Sequence, residues 1–396
     1  MISKTGSVHP SDAKRSVVGH IHNCFFEKSE TFIYHAVSNL KRFYPLFVAW
    51  QFHNLDQFPL AANDCHSLTA VRGSRRWWLQ GLARRFLRRE LPTERFLKQR
   101  HARLLHAHFG HNGVWALRLK RAMHLPLVTT FYGHDMSQAA SLSTWGKEYK
   151  GLFQEGDLFL VEGPHMKSVL QALGCPGEKI AIQRIAIPLN GLPFRPRLPK
   201  DKGEKAILIF SGRFVEKKGL LIALQALLEV HKTYPVFEFR IIGDGPQRPE
   251  IERFIQHNGM GAYVRLLGFV DYNDYLEQMK SADLFLHPSI TAADGDSEGG
   301  APTTILEAQA LGLPVLSTRH ADIPNVVVPG QSALLSGERD INELAANIIS
   351  LLVNQQCWPQ MGAAGRRFVE AFHDIEKEIP RLESRYSSLI ETRKQK

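Results

Sequence analysis

Residues 294–318 read DGDSEGGAPTTILEAQALGLPVLST, an acidic, glycine-rich loop that runs directly into an apolar, alanine-rich helical pattern. A helix start presents free backbone N–H groups and the positive end of the helix dipole, and glycines let a ligand approach the main chain. Such a junction suits anions and hydroxyl groups. Two carboxylates frame it, Glu298 in the loop and Glu307 in the helix. Gly312-Leu313-Pro314 breaks the helix and Val315 to Thr318 reads as a short strand, so the unit is loop, helix, turn, strand. Taken alone it is equally an ordinary α/β crossover with solvated acidic residues.

Working outward, residues 283–288 (DLFLHP) form the strand that feeds this loop. Residues 206–211 (AILIFS) form an earlier strand that delivers Gly212 and Arg213, then Lys218 and a helix over 220–231. Arg213 and Lys218 bracket a strand-to-helix turn, where a pyrophosphate meets two cations and a helix amino terminus. Residues 237–242 are the next strand, ending in Gly243-Asp244-Gly245-Pro246; a lone GxG is explained as well by a tight turn. Residues 264–267 lead to Gly268-Phe269-Val270, 332–335 are strand-like, 341–353 are a helix, and a last helix over 364–392 returns to the first domain.

The preceding half repeats the alternation. Strands are expected over 17–21, 44–51, 104–108, 127–131, 157–162 and 180–187, and helices from 32, over 112–122 and over 164–173, with Ser29 placed to cap the first helix. Residues 56–71 show no clear pattern. Alternating strands and helices imply parallel sheets, whose ligands bind outside the strand carboxyl ends. His108 (in HFGH) and His134-Asp135 (in YGHD) close two consecutive strands. A single histidine there is more often structural, but two histidine-glycine turns side by side point to a site. Four prolines within residues 188–199 mark a linker. The expected division is 1–190, a linker 191–204, a second domain 205–375, and a returning helix 376–396.

The chain's 396 residues exceed one ordinary core, since a domain takes about 100–200 residues. With 44% hydrophobic and 22% charged residues it reads as a globular protein. No apolar run of about 18 residues or secretory leader is evident. The four cysteines have no metal-ligand spacing, which argues against a zinc site or a disulfide framework and for a cytoplasmic protein. The formal charge of +10 calls for an anionic partner. Between Arg75 and Arg103 stand ten Lys or Arg against Glu90 and Glu94, interleaved with Trp77, Trp78, Leu82 and Phe86. This segment reads either as a helix lying on an anionic bilayer or as a packed helix with a solvated basic face. Nucleic acid is the weaker alternative and is not expected, because no recognition module accompanies the charge.

SGRFVEKKG, IIGDGP, LLGFV, ADLFLHPS and EGGAPTTILEAQALGLPVLST, in this order, resemble the carboxyl-terminal half of the retaining family 4 glycosyltransferases, which have the GT-B fold. CFFEKSETFI, HAHFG and TFYGHD resemble the subgroup that builds bacterial exopolysaccharide, colanic-acid-type polymers and lipopolysaccharide. The resemblance covers nearly the whole chain and is weakest over 54–70 and the last twenty or so residues.

The resemblance implies two Rossmann-like doubly wound domains facing across a cleft, the first for the acceptor and the second for a nucleotide sugar. Arg213 and Lys218 would neutralise the departing diphosphate. Gly212, Gly243 and Gly245 would line the donor pocket, with the base near Phe269 and Val270. The helix start at Pro302, Thr303 and Thr304 would hold phosphate oxygens, and Glu307 would take the ribose hydroxyls. Glu298, Gly299, Gly300 and Ala301 would contact the donor sugar. His134 would reach that sugar across the cleft, with Asp135 supporting its loop, and Ser29, Glu30, Thr31 and His108 would lie on the acceptor side.

The implied reaction is metal-independent and cofactor-free, moving a hexose with retention from a UDP- or GDP-sugar to a lipid-linked saccharide. The implied location is the cytoplasm, peripheral to the inner face of the inner membrane. A nucleotide-sugar epimerase of the same fold and a non-catalytic nucleotide-sugar-binding protein are the alternatives. In one respect the chain departs from the family, which has seven residues between the two glutamates where residues 299–306 make eight here. Either the loop bulges at its glycines or Glu298 is displaced.

Overall fold

The computed structural model describes residues 15–27, 30–69 and 89–394. Two parallel sheets account for the architecture. The first contains β1 (Ser16–Phe25), β2 (Phe43–Phe52), β3 (Cys65–Ser67), β4 (Ala102–His108), β5 (Leu127–Thr130), β6 (Leu158–Val161) and β7 (Ile180–Ile182), in the order β3-β2-β1-β4-β5-β6-β7. The second contains β8 (Ala206–Ser211), β9 (Phe237–Ile242), β10 (Val264–Gly268), β11 (Leu284–His287), β12 (Val315–Thr318) and β13 (Ala333–Ser336), in the order β10-β9-β8-β11-β12-β13.

A parallel sheet covered on both faces selects near-continuous apolar strands, which is why AILIFS and LFLH read as strands without alternation. In the second sheet one face packs on helices Leu220–Thr233 and Ile341–Val353, through Leu208, Phe210, Leu224 and Ile348. The other face packs on Thr303–Leu311 and Trp358–Phe372, through Ile209, Phe285, Ile305 and Val369. In both sheets the strand order reverses beside the first strand, β1 or β8, and a crevice opens at the carboxyl ends at such a reversal. The 294–318 stretch leaves the carboxyl end of β11, next to β8.

The linker lies along the second domain. Arg197 donates to the carbonyls of Lys280, Met279 and Leu311. Helix Ile375–Lys394 returns to the first sheet, burying Ile379, Leu382 and Tyr386 against Val18, Leu104 and Leu160. Among the described residues no helix is long and apolar enough to cross a membrane.

Several expected bounds move. The last helix is two, Trp358–Phe372 and Ile375–Lys394. The break falls where the His373 carbonyl accepts from the Ile187 amide at 2.9 Å and the Ile375 amide donates to the Ile187 carbonyl at 3.1 Å, so these groups serve an interdomain contact instead of a helical ladder. For the same reason the strand expected over 180–187 stops at Ile182, and Ile187 makes only an isolated bridge with Asp374. The patternless 56–71 segment holds a 3-10 turn, Ala62–Asp64, and the short edge strand β3. Ser29 and residues 75–88 of the basic segment lie outside the described residues.

Candidate functional site

Two glycines bring the domains together. Gly133, after β5, has φ +115° and Gly299, after β11, has φ +72°. A Cβ on Gly299 would sit 2.2 Å from the Gly133 Cα, and one on Gly133 would sit 2.6 Å from the Glu298 carbonyl oxygen. The two main chains therefore touch, which only glycine allows in this left-handed conformation. Asp135 sets the Gly133 loop. Its carboxylate accepts from the amides of Gly110 at 2.8 Å and of Tyr132 and Gly133 at 3.1 Å. Burial pushes the Asp135 carboxyl up against the pull of His134 and these amides. With its oxygens on three amides, Asp135 orients the loop and His134 is the side chain it presents, half-buried with its ring 5.0 Å from that of Phe109.

Next to this contact the domains exchange carboxylates. Asp322 of the second domain accepts from the His165 and Met166 amides at 2.9 and 3.0 Å, capping helix Pro164–Ala172 of the first. Glu162, at the end of β6, reaches back to Gly300 and the Ala301 amide. Burial, then Asp322, push the Glu162 carboxyl well above its ordinary range.

Glu298 lies inside the second domain's half of the cleft. Its Oε2 accepts from Lys218 Nζ at 2.9 Å and its Oε1 from Ser289 Oγ at 2.8 Å, and His287 Nε2 stands 3.7 Å away. Burial opposes the Glu298 charge, but Lys218, His287 and Lys217 outweigh it and hold the carboxyl well below its usual range. The adjoining backbone is fixed as well. The Glu298 amide donates to His320 Nε2 at 3.1 Å, and His320 Nδ1 meets Glu338 at 2.8 Å. Lys217 binds Asp296 and the Ser297 carbonyl, both at 3.0 Å. Gly299 turns the loop in a left-handed conformation, φ +72°, and Gly300 passes it under Glu162.

Arg213 is exposed at the β8 turn and lies within electrostatic range of Lys218. Gly243 packs against the Gly212 carbonyl, where a Cβ would come within 1.9 Å. Pro302 precedes helix Thr303–Leu311, whose start has no side-chain cap, and the Thr304 hydroxyl has no partner among the described residues. Phe269 is 65% exposed at the carboxyl end of β10 while Val270 packs inward.

Glu307 is half-buried and accepts from the Tyr275 hydroxyl. Burial raises its carboxyl to about 7, against the Tyr275 hydrogen bond. A carboxyl raised on folding favours the folded state below its unfolded value, and that advantage is lost as pH rises through the folded value. Replacing Glu307 with Gln should therefore change little near pH 5 and stabilise the protein at pH 9. The difference is about 2 kcal/mol after discounting for partial exposure. Urea unfolding at both pH values reads it, and equal differences at the two would contradict the buried, neutral Glu307.

The acceptor-side expectations divide. Glu30 is engaged by His22 Nε2 at 2.9 Å, and Thr31 begins helix Thr31–Ser38. His108 does not face the cleft: it is 1% exposed and bonded to His20 and Tyr132. The last residue of β4 points to the sheet face that helix Ile375–Lys394 covers, and nothing local in the sequence shows that cover. Ser289, His287, Tyr275, Glu162 and Asp322 were not singled out in the sequence, and Tyr275, Glu162 and Asp322 stand in no local motif. His287 and Ser289 nonetheless lie within ADLFLHPS.

Two doubly wound domains face each other across glycine turns, the two-domain arrangement of a GT-B type of fold. The family described as Glycosyl transferases group 1 matches residues 194–368, and Glycosyltransferase Family 4 matches residues 29–188. The putative colanic acid biosynthesis glycosyltransferase WcaL of Escherichia coli (strain K12) is 35% identical over 277 residues, covering 69% of this chain and 67% of that protein. WcaL of Salmonella typhimurium is 36% identical over 244 residues, covering 61% of this chain and 59% of that protein, less than two thirds of its length. The crystal structure of Anabaena HepE in complex with UDP superposes with a TM-score of 0.76 at 17% identity, over 94% of this chain and all 100% of that one. The fold is GT-B, and the chain belongs to the group 1 and family 4 glycosyltransferases.

Proposed function

We propose that this protein transfers a hexose from a nucleotide diphosphate sugar to a saccharide acceptor in the synthesis of a bacterial exopolysaccharide, with retention and without a metal at the diphosphate. The supporting observation is the convergence of three separate motifs. Lys218 of the β8 turn is joined to Glu298 of the β11 loop, whose next residue touches the Gly133 turn that carries His134. Relatives named for colanic acid biosynthesis and a structural neighbour holding UDP favour the same reading.

In this reading Arg213 and Lys218 neutralise the diphosphate as the bond from the anomeric carbon to its oxygen breaks, doing without an ion what a divalent cation does elsewhere. The amides at the start of helix Thr303–Leu311 take phosphate oxygens. Glu307 receives ribose hydroxyls in exchange for Tyr275, and Phe269 offers a stacking face to the base. The acceptor hydroxyl attacks from the side the diphosphate leaves, and its proton passes to the departing phosphate oxygen.

A panel of UDP- and GDP-hexoses should include one that raises the melting temperature, because a ligand bound only by the folded state stabilises it. With an oligosaccharide acceptor that donor should give an α-configured product by NMR. A donor converted without acceptor would instead make the protein an epimerase, and binding with no turnover on any acceptor would make it a sugar-nucleotide-binding protein.

The acceptor is lipid-linked in this proposal and the basic segment holds the protein on the anionic membrane around it. Part of that segment is already engaged, since Arg89 binds Glu94 at 2.8 Å and Arg100 binds Asp64. Reversing the charges of Arg84, Arg85 and Arg88 in the same segment should abolish flotation with anionic liposomes; unchanged flotation would rule the membrane contact out.

A further inference from the structure

Three histidines gather inside the first domain, away from the donor pocket. His20 on β1 lies opposite His106 on β4 in the strand register, and His108 follows two residues later. Side chains two residues apart on a strand share a face. All three are buried. One ring nitrogen from each lies within 4.8 Å of the other two, and His20 Nδ1 is 3.1 Å from His108 Nε2.

The same face of these strands otherwise carries Val18, Leu104, Val128 and Leu160, so three imidazoles there demand a reason. Burial holds all of them neutral, His20 at about 3 and the other two well below their usual value. The rings are held from behind, His108 Nδ1 meeting the Tyr132 hydroxyl at 2.8 Å and His106 Nδ1 the Tyr386 hydroxyl at 2.5 Å. His20 Nε2 has no partner among the described residues, and a buried polar atom left unpaired is costly. A cavity of roughly 50 Å³ adjoins the cluster, lined also by Tyr132 and by Glu162, the carboxylate that touches Gly300 in the cleft.

We propose that His20, His106 and His108 form a binding site for a divalent transition-metal ion of the zinc type, with its remaining position open to this cavity. Neutral imidazole is the ligand of such ions, whereas Mg²⁺ and Ca²⁺ require oxygen. Two nitrogens each about 2.0–2.1 Å from one ion stand roughly 3 Å apart, the separation already present between His20 and His108. His106 completes the set by turning its ring away from the Thr130 hydroxyl, now 2.7 Å from Nε2. The tyrosine hydroxyls behind two of the rings match the outer partners that orient metal-bound histidines. The scattered cysteines gave no hint of this site, because its sequence mark is a His-x-His strand and a third histidine on the neighbouring strand. The ion would lie apart from the diphosphate, so the proposal stands or falls independently of the transfer chemistry.

The full-length protein, stripped with chelator and freed of it, should bind one Co²⁺ per chain with visible d–d absorption and exchange it for one Zn²⁺. The double variant His20→Asn/His108→Asn should lose the absorption, Tyr386→Phe should weaken Co²⁺ binding by about 10–100-fold, and Cys24→Ser should leave it intact. Cys24 is the control because Cys24, Glu27 and His53 form the other cluster of potential ligands among the described residues. Failure of the native protein to bind Co²⁺ stoichiometrically would overturn the proposal, whether or not the double variant folds. So would loss of the bands in Cys24→Ser, which assigns the ion to the other cluster.

Discussion

Lys218→Ala should lower kcat by about 10²–10³-fold, the usual effect of removing one group aimed at developing charge, and destabilise the fold by about 3–5 kcal/mol, the cost of leaving a buried charge unpaired. The two effects come from opposite ends of one side chain's surroundings. In the proposed reaction the ammonium serves the donor's leaving group, and at rest it is the ion-pair partner of Glu298, 2.9 Å away in a pocket shared with Ser289 and His287. The double variant Lys218→Ala/Glu298→Gln separates them. Removing both charges should restore most of the stability and none of the turnover. Because the folded Glu298 carboxyl is depressed, its contribution holds above the ordinary carboxylate range and is lost as pH falls through the folded value, so the stability gap between Lys218→Ala and the native protein should narrow in acid. Urea unfolding and steady-state turnover read the two effects. A Lys218→Ala protein with native turnover would remove this residue from the leaving-group role.

Gly299→Ala should reduce turnover by about 10²-fold, the cost of misplacing reacting groups by about an ångström, while leaving nucleotide binding to the second domain nearly intact. A methyl there meets the Gly133 Cα at 2.2 Å, backbone against backbone, so neither side can yield by a rotamer change and the cleft must open. Gly330→Ala is the control, since it carries the same left-handed strain, φ +75°, with nothing within 4 Å of the added methyl. Both variants should lose about 1 kcal/mol or more from backbone strain, but only Gly299→Ala should lose turnover. Calorimetry with UDP or GDP and turnover measurements decide it, and equal activities would mean that the two glycine turns need not touch during transfer.

Much of the architecture was legible because the elements of a doubly wound sheet are specified locally. The strands at 206–211 and 237–242 and the helix at 341–353 were read to the residue. Their apolar runs are buried on both faces or keep a helical period, and glycine or proline stops them. The elements misread were those whose ends answer to another domain. The chain leaves β7 after Ile182 to pair Ile187 with the break at His373 and Asp374, and no period in either stretch announces the other.

The site divides in the same way. Arg213, Lys218, Glu298 and Glu307 could be singled out as candidates because each stands near a strand-to-helix turn or a helix start, where backbone geometry makes a motif. What each of them touches was not legible. Tyr275 reaches Glu307 from a neighbouring helix, Ser289 and His287 share Glu298 with Lys218, and Glu162 meets Gly300 from the opposite domain. His108 shows the limit most plainly, for its place at a strand end suggested the cleft, whereas it is buried and bonded to His20 and Tyr132, on the face where Tyr386 bonds His106.

By itself, then, the sequence determined two parallel α/β sheets, the order of their strands along the chain, and the loop from 294 to 302 as a candidate anion- and hydroxyl-binding junction, because turn chemistry and hydrophobic period act over a few residues. Only the tertiary structure decided that Glu298 is an ion pair with Lys218, that Gly133 and Gly299 form the seam between domains, and that three histidines share one buried chamber. Those outcomes depend on which surfaces meet across hundreds of residues, and charge, burial and hydrogen bonding act through space regardless of the distance along the chain.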